Sequence, residues 1–356
     1  MIYPWLETHW KNLLDQTARQ HHALLLAGPP GIGKGALALA LARARLCEQV
    51  LPGGDSCGRC KACGWFDAGN HPDFRFVGLA NEEDDSAEGD GTASAARSKS
   101  GARRVRSARE IRVDQIRALD GFLDVGAHRA GQRVIVIDPA DAMNTVAANA
   151  LLKRLEEPPP DAGFILVASR LAALPATIRS RCRRVPLGLP PANLAGDWLA
   201  AQSGLAPAQA ALWLAAAGGA PLRALELAAE GDAGLHRRIV DAFAGMPESG
   251  VTATADALNA VDPIDWAAIA QTWAADLARV RAGAAPCRHP DRLDRLRRLA
   301  SLVPLERLTN LERRLRALAR EAPHSLNARL LLEDVLLGYQ QALAPDSSTS
   351  RRMPAR

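Results

Sequence analysis

The sequence predicts a parallel α/β domain followed by an all-helical region. Three observations carry that expectation. Short apolar runs alternate with helical patterns through the first half of the chain. A glycine-rich turn, "GPPGIGKG", joins the first of these runs to a helix. After "LGLPPAN", Leu187 to Asn193, the strand signals stop and short Ala/Leu segments punctuated by Gly and Pro take over. Strands alternating with helices favour a parallel sheet covered on both faces.

The elements follow in order. His22–Ala27 ("HALLLA") reads as a buried strand, and Gly33–Leu46 ("GKGALALALARARL") as the helix after it. Phe74–Val77 is a shorter strand. A helix is predicted over Ile111–Val125, where Ile111, Ile116, Leu119 and Leu123 recur at near-helical spacing. Arg133–Asp138 ("RVIVID") is a third strand, Ala147–Leu155 a helix, and Phe164–Ser169 ("FILVAS") a fourth strand. Residues 80–108 interrupt this alternation. They run from acidic to basic, are rich in Ser, Gly and Ala, and offer almost no large apolar side chain to bury. Such a segment cannot offset its ordering entropy and reads as a disordered insertion.

Composition narrows the class. The chain has 356 residues, room for two or three domains with cores of their own. Its net charge of +5 is compatible with acidic partners without specifying one. The start, "MIYPWLETHWKNLL", lacks a basic segment leading into an apolar run, so no signal peptide is expected. No stretch reaches the roughly 18 apolar residues that span a bilayer. A soluble cytoplasmic protein is the expectation.

The glycine-rich turn satisfies G-x-x-x-x-G-K-[ST] through Gly28, Gly33 and Lys34, with Gly31 between them, and then fails. Gly35 stands where a hydroxyl would hold magnesium. Glycines let backbone N–H groups turn toward phosphate oxygens at a helix N-terminus, and the lysine would reach the β and γ phosphates. Hydrolysis also needs an acid that ends a later strand, with a neighbouring carboxylate to orient water. In "VIVIDPAD" Asp138 suits magnesium, but Pro139 follows it and cannot act as a base. Asp141 is the nearest substitute.

Four of the six cysteines fall within residues 47–63: Cys47, then Cys57, Cys60 and Cys63 as C-x-x-C-x-x-C. Four thiolates at that spacing suit a closed, structural tetrahedral zinc site. An iron–sulfur cluster could use the same ligands, though the ferredoxin signature is absent. "TIRSRCRRV", Thr177–Val185, is a dense basic run whose plain reading is a solvated element end. Arginine is also the residue that stabilises phosphoryl charge across a subunit boundary.

Taken together, "HHALLLAGPPGIGKG", "CGRCKACGWFDAGNHPDF", "IRVDQIRAL", "AANALLKRLEEPP" and "TIRSRC" resemble, in order and spacing, the bacterial DNA polymerase III clamp-loader subunits. The match is close over Pro4–Val185 and extends to the helical remainder in layout only. Gly35 and Pro139 make the chain similar to the non-hydrolysing delta-prime branch rather than the ATP-hydrolysing gamma/tau branch, which stays as the alternative. The resemblance implies a RecA-like AAA+ domain over 1–187, a helical lid over 188–231, a C-terminal helical collar over 232–343 and a disordered tail over 344–356.

It further implies gamma/tau and delta partners in a hetero-pentameric ring that loads the sliding clamp onto primed DNA, within a nucleotidyltransferase holoenzyme and with no membrane role. Arg181 would be the trans arginine serving the neighbouring subunit's ATP. Zinc would sit on Cys47, Cys57, Cys60 and Cys63. Ser169 would be a polar sensor and Arg223 in "GGAPLRAL" a lid arginine, so that Gly28, Gly31, Gly33, Lys34, Asp138, Ser169 and Arg223 form a degenerate nucleotide site, with ATP or ADP binding left open. The helix carrying Asn149, Lys153 and Glu156 is taken as structural. A third reading makes the cysteine module a sequence-specific DNA reader, which would need a recognition helix and interleaved aromatics not seen here.

Overall fold

The structure is a computed structural model that describes residues 2–14, 21–79, 110–125, 131–231, 233–301, 303–321 and 327–344. The predicted insertion and nearly all of the predicted tail lie outside the described residues. Two compact units divide the chain at Leu194.

The first unit is built on five parallel strands: β1 (Ala23–Ala27), β2 (Phe74–Val77), β3 (Arg133–Ile137), β4 (Ala162–Ala168) and β5 (Arg183–Pro186). Their spatial order is β2-β3-β4-β1-β5. Ala23 to Ala27 pair with Phe164 to Ala168, and Leu24 to Ala27 pair with Arg183 to Pro186. β1, β3 and β4 are buried along their whole length, which is why they read as unbroken apolar runs rather than alternating ones. Helix α1 (Glu7–Leu14) precedes the sheet, and α2 (Lys34–Leu46) packs across β1, β3 and β4. Helix α3 (Lys61–Asp67) follows the cysteine-rich loop, and α4 (Val113–Asp124), α5 (Thr145–Glu156) and α6 (Ala176–Arg181) complete the unit. Leu25, Ile135, Phe164, Ile116, Leu151 and Ile178 share one continuous core.

Strand β5 was not among the sequence expectations. Its four residues alternate between half-buried and exposed positions at the sheet edge, and two of them are arginines. Only pairing with β1 identifies it. The parallel arrangement gathers the segments after β1, β3 and β4 at one edge of the sheet, where crossover connections leave a crevice.

The second unit is helical: α7 (Ala192–Ser203), α8 (Pro207–Ala216), α9 (Pro221–Glu230), α10 (Leu235–Leu258), α11 (Pro263–Arg281), α12 (Leu293–Ser301), α13 (Leu305–Glu321) and α14 (Ala328–Leu343). It contains two separate cores, one from Ala195 to Leu227 and a larger one from Ile239 to Tyr339. In the larger core the buried Trp273 Nε1 donates to Tyr339 Oη at 2.8 Å. Helix α10 is broken at Gly250, whose φ of 82° lies in the left-handed region, three residues after Pro247. None of the described helices is long and apolar enough to cross a membrane.

Candidate functional site

The phosphate loop lies between β1 and α2. Gly31 and Gly33 take φ values of 75° and 91°, which L side chains avoid, so the glycines of the motif are required by the backbone. Gly28 is required by space, because a Cβ there would lie 2.1 Å from the Leu187 carbonyl oxygen. At the first residue of α2, Lys34 turns back into the loop. Its Nζ donates to Pro29 O at 2.7 Å and to Ser169 Oγ at 3.0 Å. Burial lowers its pKa from the ordinary lysine value, partly opposed by the charges of Asp138 and Asp141.

Asp138 follows β3 and faces the start of α2. A Cβ built on Gly35 would lie 2.4 Å from Asp138 Oδ2, so the carboxylate stands directly over the position where the motif has a serine or threonine. Burial raises its pKa, with the Lys34 charge pulling the other way. Asp141 is buried, with both carboxylate oxygens engaged. Its Oδ1 accepts Ser169 N at 3.0 Å, and its Oδ2 accepts Arg170 N at 3.1 Å and Arg170 Nε at 3.3 Å. It therefore fixes the end of β4, and through Ser169 the position of Lys34.

Two aromatic side chains that the sequence did not single out cover the loop. Trp5 Nε1 donates to Ile32 O at 2.9 Å, and Tyr3 stacks on Trp5 with ring centroids 5.1 Å apart. The Tyr3 ring lies against Gly33, where a Cβ would come within 2.4 Å of it. The available signal was two aromatics in "YPWL" in a chain that is otherwise poor in them.

The four cysteines converge. All four Sγ atoms lie within 4.8 Å of one another, and those of Cys47 and Cys60 are 3.9 Å apart. A tetrahedral ion with metal–sulfur bonds of about 2.3 Å needs sulfur separations of about 3.8 Å, so the donor set fits a metal ion. Backbone N–H groups of Cys57, Cys60 and Cys63 donate to the sulfurs of Cys47, Cys57 and Cys60 at 3.2, 3.3 and 3.4 Å. These bonds favour thiolate over thiol, and the Arg59 and Cys60 N–H groups lower Cys57 to about 6 against its burial. The module is tied to both neighbouring helices. Arg43 of α2 donates to Ser56 Oγ at 2.8 Å and pairs with Asp67 at 2.7 Å, while Trp10 Nε1 of α1 donates to Asp55 Oδ1 at 2.9 Å.

Arg181 ends α6. Its partners are Glu156 Oε1 at 2.6 Å, Thr177 O at 3.1 Å and Ser180 Oγ at 3.4 Å, all on α5 and α6. Arg223 belongs to the second unit and pairs with Glu226 at 2.8 Å. The structure thus brings Lys34, Asp138 and Ser169 together with the loop glycines, and separately assembles the cysteines.

Comparison with known proteins gives the family. A protein-family model described as "DNA polymerase III, delta subunit" matches residues 5–190. A DNA polymerase III subunit delta' from Pseudomonas aeruginosa is 38% identical over 263 residues, which are 73% of this chain and 72% of that protein. The chain belongs to the DNA polymerase III delta-prime family. The Escherichia coli subunit of the same name is 37% identical over 199 residues, 55% of this chain and 52% of its own length. Among solved structures, a gamma subunit-related protein from Thermotoga maritima pairs with 96% of this chain at 17% identity and a TM-score of 0.45, an overlay too loose to argue from.

Proposed function

We propose that this delta-prime family member works in a clamp loader as the subunit that does not hydrolyse ATP, and that Arg181 serves the ATP of the adjacent gamma/tau subunit. On this reading the phosphate loop is inherited architecture. The helical region acts as a lid over 188–231 and a collar over 232–343, through which the chain joins gamma/tau and delta subunits in a pentameric ring. The ring, in the cytoplasm, loads the sliding clamp at primed DNA. The cysteine module holds one structural zinc ion, since four buried or half-buried sulfurs leave no open position for chemistry.

The observation that carries the non-hydrolysing assignment is that the α2 position facing the Asp138 carboxylate is Gly35, which has no hydroxyl to share a magnesium ion with it. Pro139 and the fully engaged Asp141 remove the remaining sources of a general base. Steady-state turnover of ATP and Mg²⁺ by the isolated chain tests the assignment. A rate equal to that of Lys34→Ala is expected, and turnover that depends on Lys34 would instead favour a gamma/tau-type ATPase.

A further inference from the structure

The arginine assigned to the neighbouring subunit is already occupied in this chain. Glu156 Oε1 lies 2.6 Å from Nη2 of Arg181, and the Thr177 carbonyl takes Nη1. Those two nitrogens form the fork with which a guanidinium grips a carboxylate or a phosphate, so both anions want the same donors.

Glu156 is also misplaced as a purely helical residue. It is the last residue of α5, where the dipole favours cations. Lys153 and Arg154 in the same turn follow that preference, and Glu156 opposes it. What it gains in exchange is the guanidinium at the end of α6.

We propose that Glu156 is a positioning residue that parks Arg181 between α5 and α6 in the free chain and releases it to the phosphates of the adjacent subunit's ATP. This rests on the trans assignment of Arg181 made above. Both partners are partly exposed, with side chains 35% and 48% accessible, so the pair belongs to the weak class of surface ion pairs. Its opening costs about fivefold in an equilibrium at most. A triphosphate carries several negative charges and outcompetes one carboxylate. A single inorganic anion, or a neighbour with an empty site, does not. The pair thus keeps the guanidinium in one rotamer and away from adventitious anions until the intended partner arrives.

The test uses the ring reconstituted with gamma/tau and delta subunits, and separates KM for ATP from kcat. Glu156→Gln keeps the shape and removes the charge. It is expected to lower KM two- to fivefold with kcat unchanged, and the gap from the native ring should close as salt is raised. In an Arg181→Ala background the substitution should have no effect. A KM unchanged at low salt would overturn the proposal, and so would a fall in kcat, because the carboxylate would then be needed in the working state. The two readings fail separately. If Arg181→Ala leaves turnover intact, the trans assignment is lost. If Arg181→Ala cripples turnover while Glu156→Gln leaves KM in place, only the parking role is lost. Melting of the isolated variant chain gives the control, since a merely structural Glu156 would move the melt and not KM.

Discussion

Lys34 and Arg181 are two cations at opposite kinds of helix end, and their surroundings differ. Lys34 opens α2, where the dipole disfavours positive charge unless an anion is present, and only 5% of it is accessible. Its ammonium is satisfied from within, by Pro29 O and Ser169 Oγ. Arg181 closes α6, where the dipole favours it, and its side chain keeps about a third of its surface open. On the proposed function, a loop lysine with internal partners is a remnant of binding. An arginine held at the surface by one carboxylate and two oxygens of its own helix is, on the same proposal, a group still on offer. The proposed function thus puts the working charge of this unit at α6 rather than in the phosphate loop.

The largest expected effect addresses the outward side of the contrast. With Arg181 serving the adjacent subunit as proposed, Arg181→Ala should lower turnover at that subunit's ATP site by about a thousandfold or more, the range seen when a trans arginine is lost. It should leave assembly of the ring unchanged. Arg181→Lys should recover little, because a point charge does not replace a planar fork. Turnover of the reconstituted ring, with assembly followed by size-exclusion chromatography, measures both. Normal turnover would erase the contrast.

The metal comes next. Purified protein should carry about one equivalent of zinc, and Cys60→Ser should lose it. Because Asp55 and Asp67 tie the module to α1 and α2, the variant should also melt at lower temperature. Metal analysis that returns iron, or nothing in the native chain, would remove zinc from the description. Acid should weaken metal retention, since each sulfur must shed a proton to bind and burial pushes the Cys63 thiol up to about 12.

A smaller effect belongs to the inward side. Asp141→Ala strips acceptors from two backbone N–H groups and one guanidinium at the end of β4. Unmade hydrogen bonds to a buried carboxylate make a cost of about 3 kcal/mol reasonable. Denaturant unfolding of the isolated chain measures it. Turnover of the ring should be unaffected at temperatures where the variant is folded. A selective loss of turnover with normal stability would return Asp141 to the role of a base.

How much of this was legible beforehand follows from what each residue depends on. The buried strands were readable because a parallel strand covered on both faces is a continuous apolar run. The cysteine cluster was readable because its spacing is local, with Cys57, Cys60 and Cys63 three residues apart and Cys47 ten residues upstream. β5 was not, since an arginine-rich edge strand is defined by its neighbour and not by its own composition. The cover of Tyr3 and Trp5 over the loop depends on contacts across 27 residues and more, which no local pattern encodes. The pairing of Glu156 with Arg181 was not legible, because the two are close only after α5 and α6 pack. Asp138 was read correctly as an acid at a strand end, yet its encroachment on Gly35 is a matter of ångströms.

The smallest prediction tests whether the loop is closed as tightly as Lys34 suggests. Trp5→Phe keeps an aromatic ring to stack on Tyr3 and removes the donor to Ile32 O. The loss of one partly buried hydrogen bond should cost about 1 kcal/mol. The informative measurement is the melting temperature with and without ATP. A ligand at a hundredfold excess over its dissociation constant stabilises the folded state by about 2.7 kcal/mol, which is well above the cost of the substitution. If the loop is filled by its own residues, ATP should leave the native melt unmoved, and the variant should stay at its lowered value. If ATP instead raises the melt of the native chain, the pocket opens to nucleotide. The internal partners of Lys34 are then a resting arrangement, and the difference between the two cations becomes one of degree.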